Sequence, residues 1–251
     1  MITRLTEIVS EEMLPASKGA LNCLPYARVL VRSLHLLVES AAKEIVARAV
    51  VFGAREGMDY EDLFRKIPAR ALINEALRCD NANGKIVASV SDPDSGQEDQ
   101  IVVPFRTLGY PHGHGELGDF HDDGTWTGHI VVCYGNTMID STLGQINHAD
   151  FGIHIEPLGI LIDTSPKRPF ADGFDAVFIG GQFVYYEAFP DELSYMASQS
   201  WGESEFRDEL ERISERVAER IRNEAQAEPS AHPTAISSQI KTIPPSAADG
   251  I

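Results

Sequence analysis

A histidine and an aspartate flank one tight turn in the stretch GHIVVCYGNTMIDST. A two-residue Gly-Asn loop is a recognised hairpin turn. With Gly135 and Asn136 at the tip, Tyr134 faces Thr137, Val131 faces Asp140 and His129 faces Thr142. Directly opposed residues share a face, as do residues two apart along a strand. His129, Asp140 and Thr142 therefore project from one side. His129 and Asp140 become diagonal neighbours, within reach of an imidazole–carboxylate hydrogen bond. Such a bond fixes the ring tautomer and stabilises the imidazolium, the arrangement a general base needs.

A nucleophile would have to come from elsewhere. Cys23 opens the segment Leu24 to Ala41, in which Ala27, Leu30, Val31, Leu34, Leu37, Val38 and Ala41 recur at helical spacing. Arg28, Arg32, His35 and Glu39 form the opposite, polar stripe. Pro25 falls where a first helical turn tolerates proline. Cys23 is thus expected at the N-terminus of a mostly buried helix, where the helix dipole favours a thiolate. The spacing alone does not bring Cys23 to His129; that requires the fold.

Around these residues the periodicity predicts a short helix over Thr3–Met13, broken at Pro15–Gly19. A strand follows over Ile45–Phe52, then one or two helices over Asp59–Asp80, broken near Pro68. Strands are expected at Lys85–Val90 and Ile101–Phe105, joined by the polar loop DPDSGQED. A Gly/His/Asp-rich loop spans Thr107–Thr125. Strands resume at Gly128–Tyr134, Thr137–Leu143 and Ile153–Ile162, and at Ala176–Ile179 and Gln182–Ala188 around Gly180-Gly181. Glu203–Gln226 reads as a helix laced with Glu/Arg pairs three and four apart. From Pro229 onward the chain is rich in Pro, Ser and Ala, the composition of a disordered tail. Helices first and hairpin strands later predict an α+β domain on an antiparallel sheet. The expected organisation is a domain over 1–202, with an insertion at about 54–125, a charged helix over 203–227 and a tail over 228–251.

Bulk properties narrow the function classes. The 251 residues are enough for one sizeable core. A formal net charge of −17 disfavours phosphate backbones and anionic lipid, so nucleic acid is not an expected partner. No apolar run reaches the length of a membrane span, and the N-terminus has no h-region of a signal peptide. The cysteines at 23, 79 and 133 are odd in number, without a CxxC pair or disulfide framework, which fits a reducing cytoplasm.

The order of parts resembles the transglutaminase-like branch of the papain-like cysteine protease superfamily. The resemblance rests on Asn22-Cys23 leading into a helix and AKEIVARAVVFG as the next strand. It continues in Gly128-His129-Ile130-Val131-Val132 and in Ile139-Asp140-Ser141-Thr142. It covers roughly residues 22–53 and 128–145. It implies a papain-like core with Cys23 as nucleophile, His129 as base and Asp140 orienting the base. The chemistry implied is acyl transfer or hydrolysis at an amide, on a protein or peptide substrate, with no metal or organic cofactor. Asn22, Trp126 and Gln145 are candidates for substrate or oxyanion contacts, and Asn147 for substrate. The sequence departs from the pattern in the long link before His129 and in having no Gln upstream of Cys23. The Arg-Gly-Gly stretch usual before the cysteine of arylamine acetyltransferases is replaced by SKGALNC, which argues against an acetyl-CoA enzyme.

Plainer readings stand beside this one. A lone Cys23 is a small buried hydrophobe, His129 a satisfied strand histidine, and Asp140 a strand-end residue bonding its own backbone. Cys133 reads as packing, and Cys79, beside Asp80, as structural. His112, His114, His121, Asp122 and Asp123 in YPHGHGELGDFHDDG form the donor set of an alternative, a metal-dependent hydrolase, although no standard ligand spacing is matched. The same stretch also reads as a polar surface loop, or as a lid over the cysteine. A third reading is a catalytically inactive interaction module whose charged helix docks a partner.

Overall fold

The computed structural model describes residues 1–18, 21–38, 43–53, 60–67, 69–78, 85–91, 95–108, 128–156, 159–163, 174–179, 181–189, 193–197, 204–227 and 241–242. The chain is α+β, and every strand pairing among the described residues is antiparallel. The sheet runs in the order β6 (Ile160–Asp163), β5 (Thr137–Asp140), β4 (His129–Tyr134), β1 (Lys43–Phe52), β8 (Gln182–Phe189), β7 (Phe174–Ile179) and β9 (Lys241–Thr242). The hairpin of β2 (Lys85–Ser91) and β3 (Glu98–Leu108) joins it through β3.

β1 is the organising strand. One of its edges is covered by β8 over its last seven residues, Val46 to Phe52. The other edge is shared: Lys43–Ala47 pair with β4, and Ala49–Phe52 pair with β3. The second strand of the expected insertion, β3, completes the central sheet on this edge.

Three helices form a layer on one face: α1 (Ile2–Ala16), α2 (Cys23–Leu37) and α5 (Ser204–Ala227). Their apolar stripes meet at Leu5, Ile8, Val29, Leu30, Leu34, Leu210, Ile213 and Val217, and they rest on Ile130, Val132 and Ile139 of the sheet. Burying each such side chain contributes about 1.5–3 kcal/mol. The stripe on α5 is thus covered by its own chain. At the rim, Arg4 makes a two-pronged contact with Glu224, and Arg220 spans Glu11 and Glu12. These pairs are exposed or partly exposed, so they orient α1 on α5 more than they stabilise it.

The strand period places alternate residues on the opposite face. There Val131, Met138, Ile160, Ile162, Val177, Val184 and Tyr186 form a second core with Leu143, Ile146, Ile153 and Ile155. A third cluster packs Leu63, Leu72 and Ile73, from helices α3 (Tyr60–Lys66) and α4 (Ala69–Arg78), on Val103, Phe105, Phe183 and Tyr185.

Several boundaries differ from expectation. α1 continues through Pro15 to Ala16: the proline forgoes one bond of the last turn, and the Ser17 N–H still closes it on the Met13 carbonyl oxygen. β3 starts at Glu98, shortening the polar loop, because exposed acidic residues still pair along the hairpin up to Ser91↔Glu98. β5 stops at Asp140, where the aspartate side chain takes over the backbone bonding, and residues Leu143–Ile146 form a 3₁₀ turn. Of the strand expected over Ile153–Ile162, only Ile160–Asp163 is a strand, while Ile153 makes a single bridge to His148. Lys241–Thr242, inside the expected disordered tail, pair with β7. Cys79, Trp126 and the His112–Asp123 donor set lie outside the described residues.

Candidate active site

Cys23 is the first residue of α2. The turn before it is held by Asn22, whose side chain accepts a hydrogen bond from the Leu24 N–H at 3.1 Å and caps the helix. The thiol is 3 % exposed and donates to the Gly128 carbonyl oxygen at 3.6 Å. The backbone next to the expected base is thus in contact with the expected nucleophile, across 105 residues of chain.

The β4–β5 hairpin has the register its turn requires: Tyr134 faces Thr137, Cys133 faces Met138 and Val132 faces Ile139. Gly135 supplies the positive φ, +60°, that a glycine-first two-residue turn needs. One step further places Val131 opposite Asp140, so His129 lies diagonal to Asp140. The two meet at 2.9 Å between Nε2 and Oδ2, with both residues fully buried. A carboxylate can only accept, so Nε2 carries the hydrogen. Nδ1 is buried without a hydrogen-bond partner of good geometry, and it is the ring nitrogen left for Cys23.

Burial by itself pushes the His129 imidazolium down. The charge of Asp140, its hydrogen bond and the neighbouring Cys23 outweigh that, and the His129 pKa is raised to about 10.

Asp140 is held on both oxygens. Oδ1 accepts from the Thr142 N–H at 3.0 Å, closing a local turn. Oδ2, besides His129, accepts from the Tyr186 hydroxyl at 2.9 Å. Gly159, at the start of β6, lies against the same stretch. A Cβ there would stand 2.8 Å from the Asp140 carbonyl oxygen and 2.9 Å from the Ser141 Cα, so only glycine fits. Downstream, Gln145 Nε2 donates to the Leu21 carbonyl at 2.7 Å, tying the segment after Asp140 to the segment before Cys23. Arg106 on β3 donates to the Ile146 and Asn147 carbonyls at 3.0 and 2.8 Å and anchors that turn.

The fold therefore brings Cys23, His129 and Asp140 together. The accessory candidates fare differently. Asn22 is occupied as a helix cap, and the Gln145 amide nitrogen is committed to Leu21. Asn147 bonds both the N–H and the carbonyl of Ile155, which makes it a strut for the loop. Cys133 packs beside the second core, as its place on the strand implied. Among the described residues, no three His, Cys, Asp or Glu side chains cluster as a metal site. No described helix is long and apolar enough to cross a membrane.

Tyr186 and Gly159 were not legible from local pattern. Tyr186 sits in QFVYYEAF, which reads as any core strand. Its role depends on β8 lying against β1, a pairing of strands about 140 residues apart in the chain. No family model matches this sequence, and no curated protein or solved structure matches it either.

Proposed function

We propose that this chain is a cysteine hydrolase or acyltransferase acting on amide bonds, with a papain-like core of the transglutaminase-like kind. The observation that carries the reading is the buried His129–Asp140 bond of 2.9 Å, with the Cys23 thiol against the carbonyl oxygen of Gly128, the residue before His129. A nucleophile at a helix N-terminus, a base and a group orienting the base are the three parts that covalent acyl transfer requires. Cys23 Sγ attacks the substrate carbonyl carbon while its proton resides on His129 Nδ1. Collapse of the tetrahedral intermediate breaks the C–N bond, and His129 returns the proton to the leaving amine. Water or a second amine then attacks the thioester, and the thiol is regenerated. The Cys23 backbone N–H serves as one oxyanion donor. Asp140 keeps Nε2 protonated and the ring aimed. Because Cys23 is 3 % exposed, a substrate must displace part of its cover and the Sγ contact to Gly128. The substrate class that fits is a protein or peptide amide.

The test is the pH dependence of Cys23 alkylation by iodoacetamide, read by peptide mass spectrometry, in the parent protein and in His129→Ala. An imidazolium partner predicts alkylation that stays fast well below pH 8, and a loss of about ten-fold or more at pH 6 in the variant. Ordinary thiol behaviour, unaffected by His129, would remove the enzyme reading and leave an interaction module.

A further inference from the structure

Asp140 receives a third polar partner that a three-residue mechanism does not call for. The Tyr186 hydroxyl donates to Oδ2, the same oxygen that accepts from His129, and Tyr186 is fully buried. The two donors come from strands on opposite sides of β1. In register, His129, Ala47 and Ala188 form one row, and Leu108, Ala49 and Tyr186 the next. A core position on β8 has no packing need for a hydroxyl, and phenylalanine fills such positions nearby at Phe183. A buried phenol is retained where its oxygen has a partner.

We propose that Tyr186 is a positioning residue of the site: by sharing Oδ2 of Asp140 with His129, its hydroxyl takes up part of the charge that His129 feels. This rests on the reading of Cys23, His129 and Asp140 as a working set. The physical reason is competition. A carboxylate oxygen shared between two donors presents less negative potential to each. Among the described residues, the titratable groups facing His129 are Asp140 and Cys23, with Tyr186 acting through Asp140. With Tyr186 absent and Asp140 in place, the imidazolium would be held more tightly. His129 would then return its proton to a leaving group less readily. With Asp140 swung away, burial alone would act, and the imidazolium would be disfavoured instead. The two consequences have opposite signs.

The experiment is a titration of the histidine ring nitrogens by NMR in the full chain, comparing the parent with Tyr186→Phe. The His129 signals are assigned by their loss in His129→Gln. The expected result is a His129 midpoint moved upward by roughly half a pH unit or more. An unchanged or lowered midpoint would overturn the proposal. Should Tyr186→Phe fail to fold, the parent protein supplies a second measurement. The Tyr186 hydroxyl proton should appear as a slowly exchanging resonance with a cross-peak to its own ring, and fast exchange would overturn the shared bond. Neither readout needs a reactive Cys23. Ordinary alkylation of Cys23 would therefore sink the enzyme reading while leaving the Tyr186 result to stand or fall separately.

Discussion

Leu108 and His129 stand two places apart on the same edge of β1, opposite Ala49 and Ala47. β3 and β4 both run antiparallel to β1 there, so they form one line of strand, left at Leu108 and rejoined at His129. Two residues of strand span about 7 Å. The chain therefore leaves the β1 edge and returns to it within about two strand residues.

That relationship predicts that a short Gly/Asn linker can replace residues 109–127. Loop length enters stability only weakly once the ends are fixed. Thermal denaturation of the shortened protein should give a melting temperature within about 5 °C of the parent. Loss of cooperative unfolding would mean that β3 and β4 do not share the β1 edge as described.

Gly159→Ala tests the backing of Asp140. The new methyl would meet the Asp140 carbonyl oxygen and the Ser141 Cα, both backbone atoms that cannot swing aside. Overpacking of this kind costs about 1–3 kcal/mol. The displacement also falls on the residue that orients His129. Urea denaturation should show the loss of stability, and Cys23 alkylation at pH 6 should slow along with it. A variant as stable and as reactive as the parent would place the strain elsewhere.

The His129 charge makes stability depend on pH with a definite sign. Its folded pKa, about 10, lies above the ordinary 6.5, so the folded state binds the extra proton between those values. The stabilisation is fully present below pH 6.5 and is lost as pH rises through about 10. Urea titrations of the parent and of His129→Gln at several pH values should therefore show a stability difference that shrinks from neutral to alkaline pH. A difference that is flat from pH 6 to 10 would argue against a charged, Asp140-paired ring.

Much of this molecule follows from local chemistry. The Gly135-Asn136 turn sets the hairpin register, and the side-chain period of two then puts His129 and Asp140 on one face with no help from the rest of the chain. The apolar stripe after Cys23, with Pro25 in its first turn, likewise determines a buried helix that starts at the cysteine. Those are short-range rules, and they act on residues a few places apart. What the sequence by itself left open were the distances between such pieces. Only the tertiary structure carries the Gly128 carbonyl to Cys23, Tyr186 to Asp140, and Gly159 to the backbone at Ser141. Each of those contacts joins segments whose local patterns are satisfied without the other. Their meeting is decided by how β1 divides its edges among β3, β4 and β8, and by the packing of α2 on the sheet.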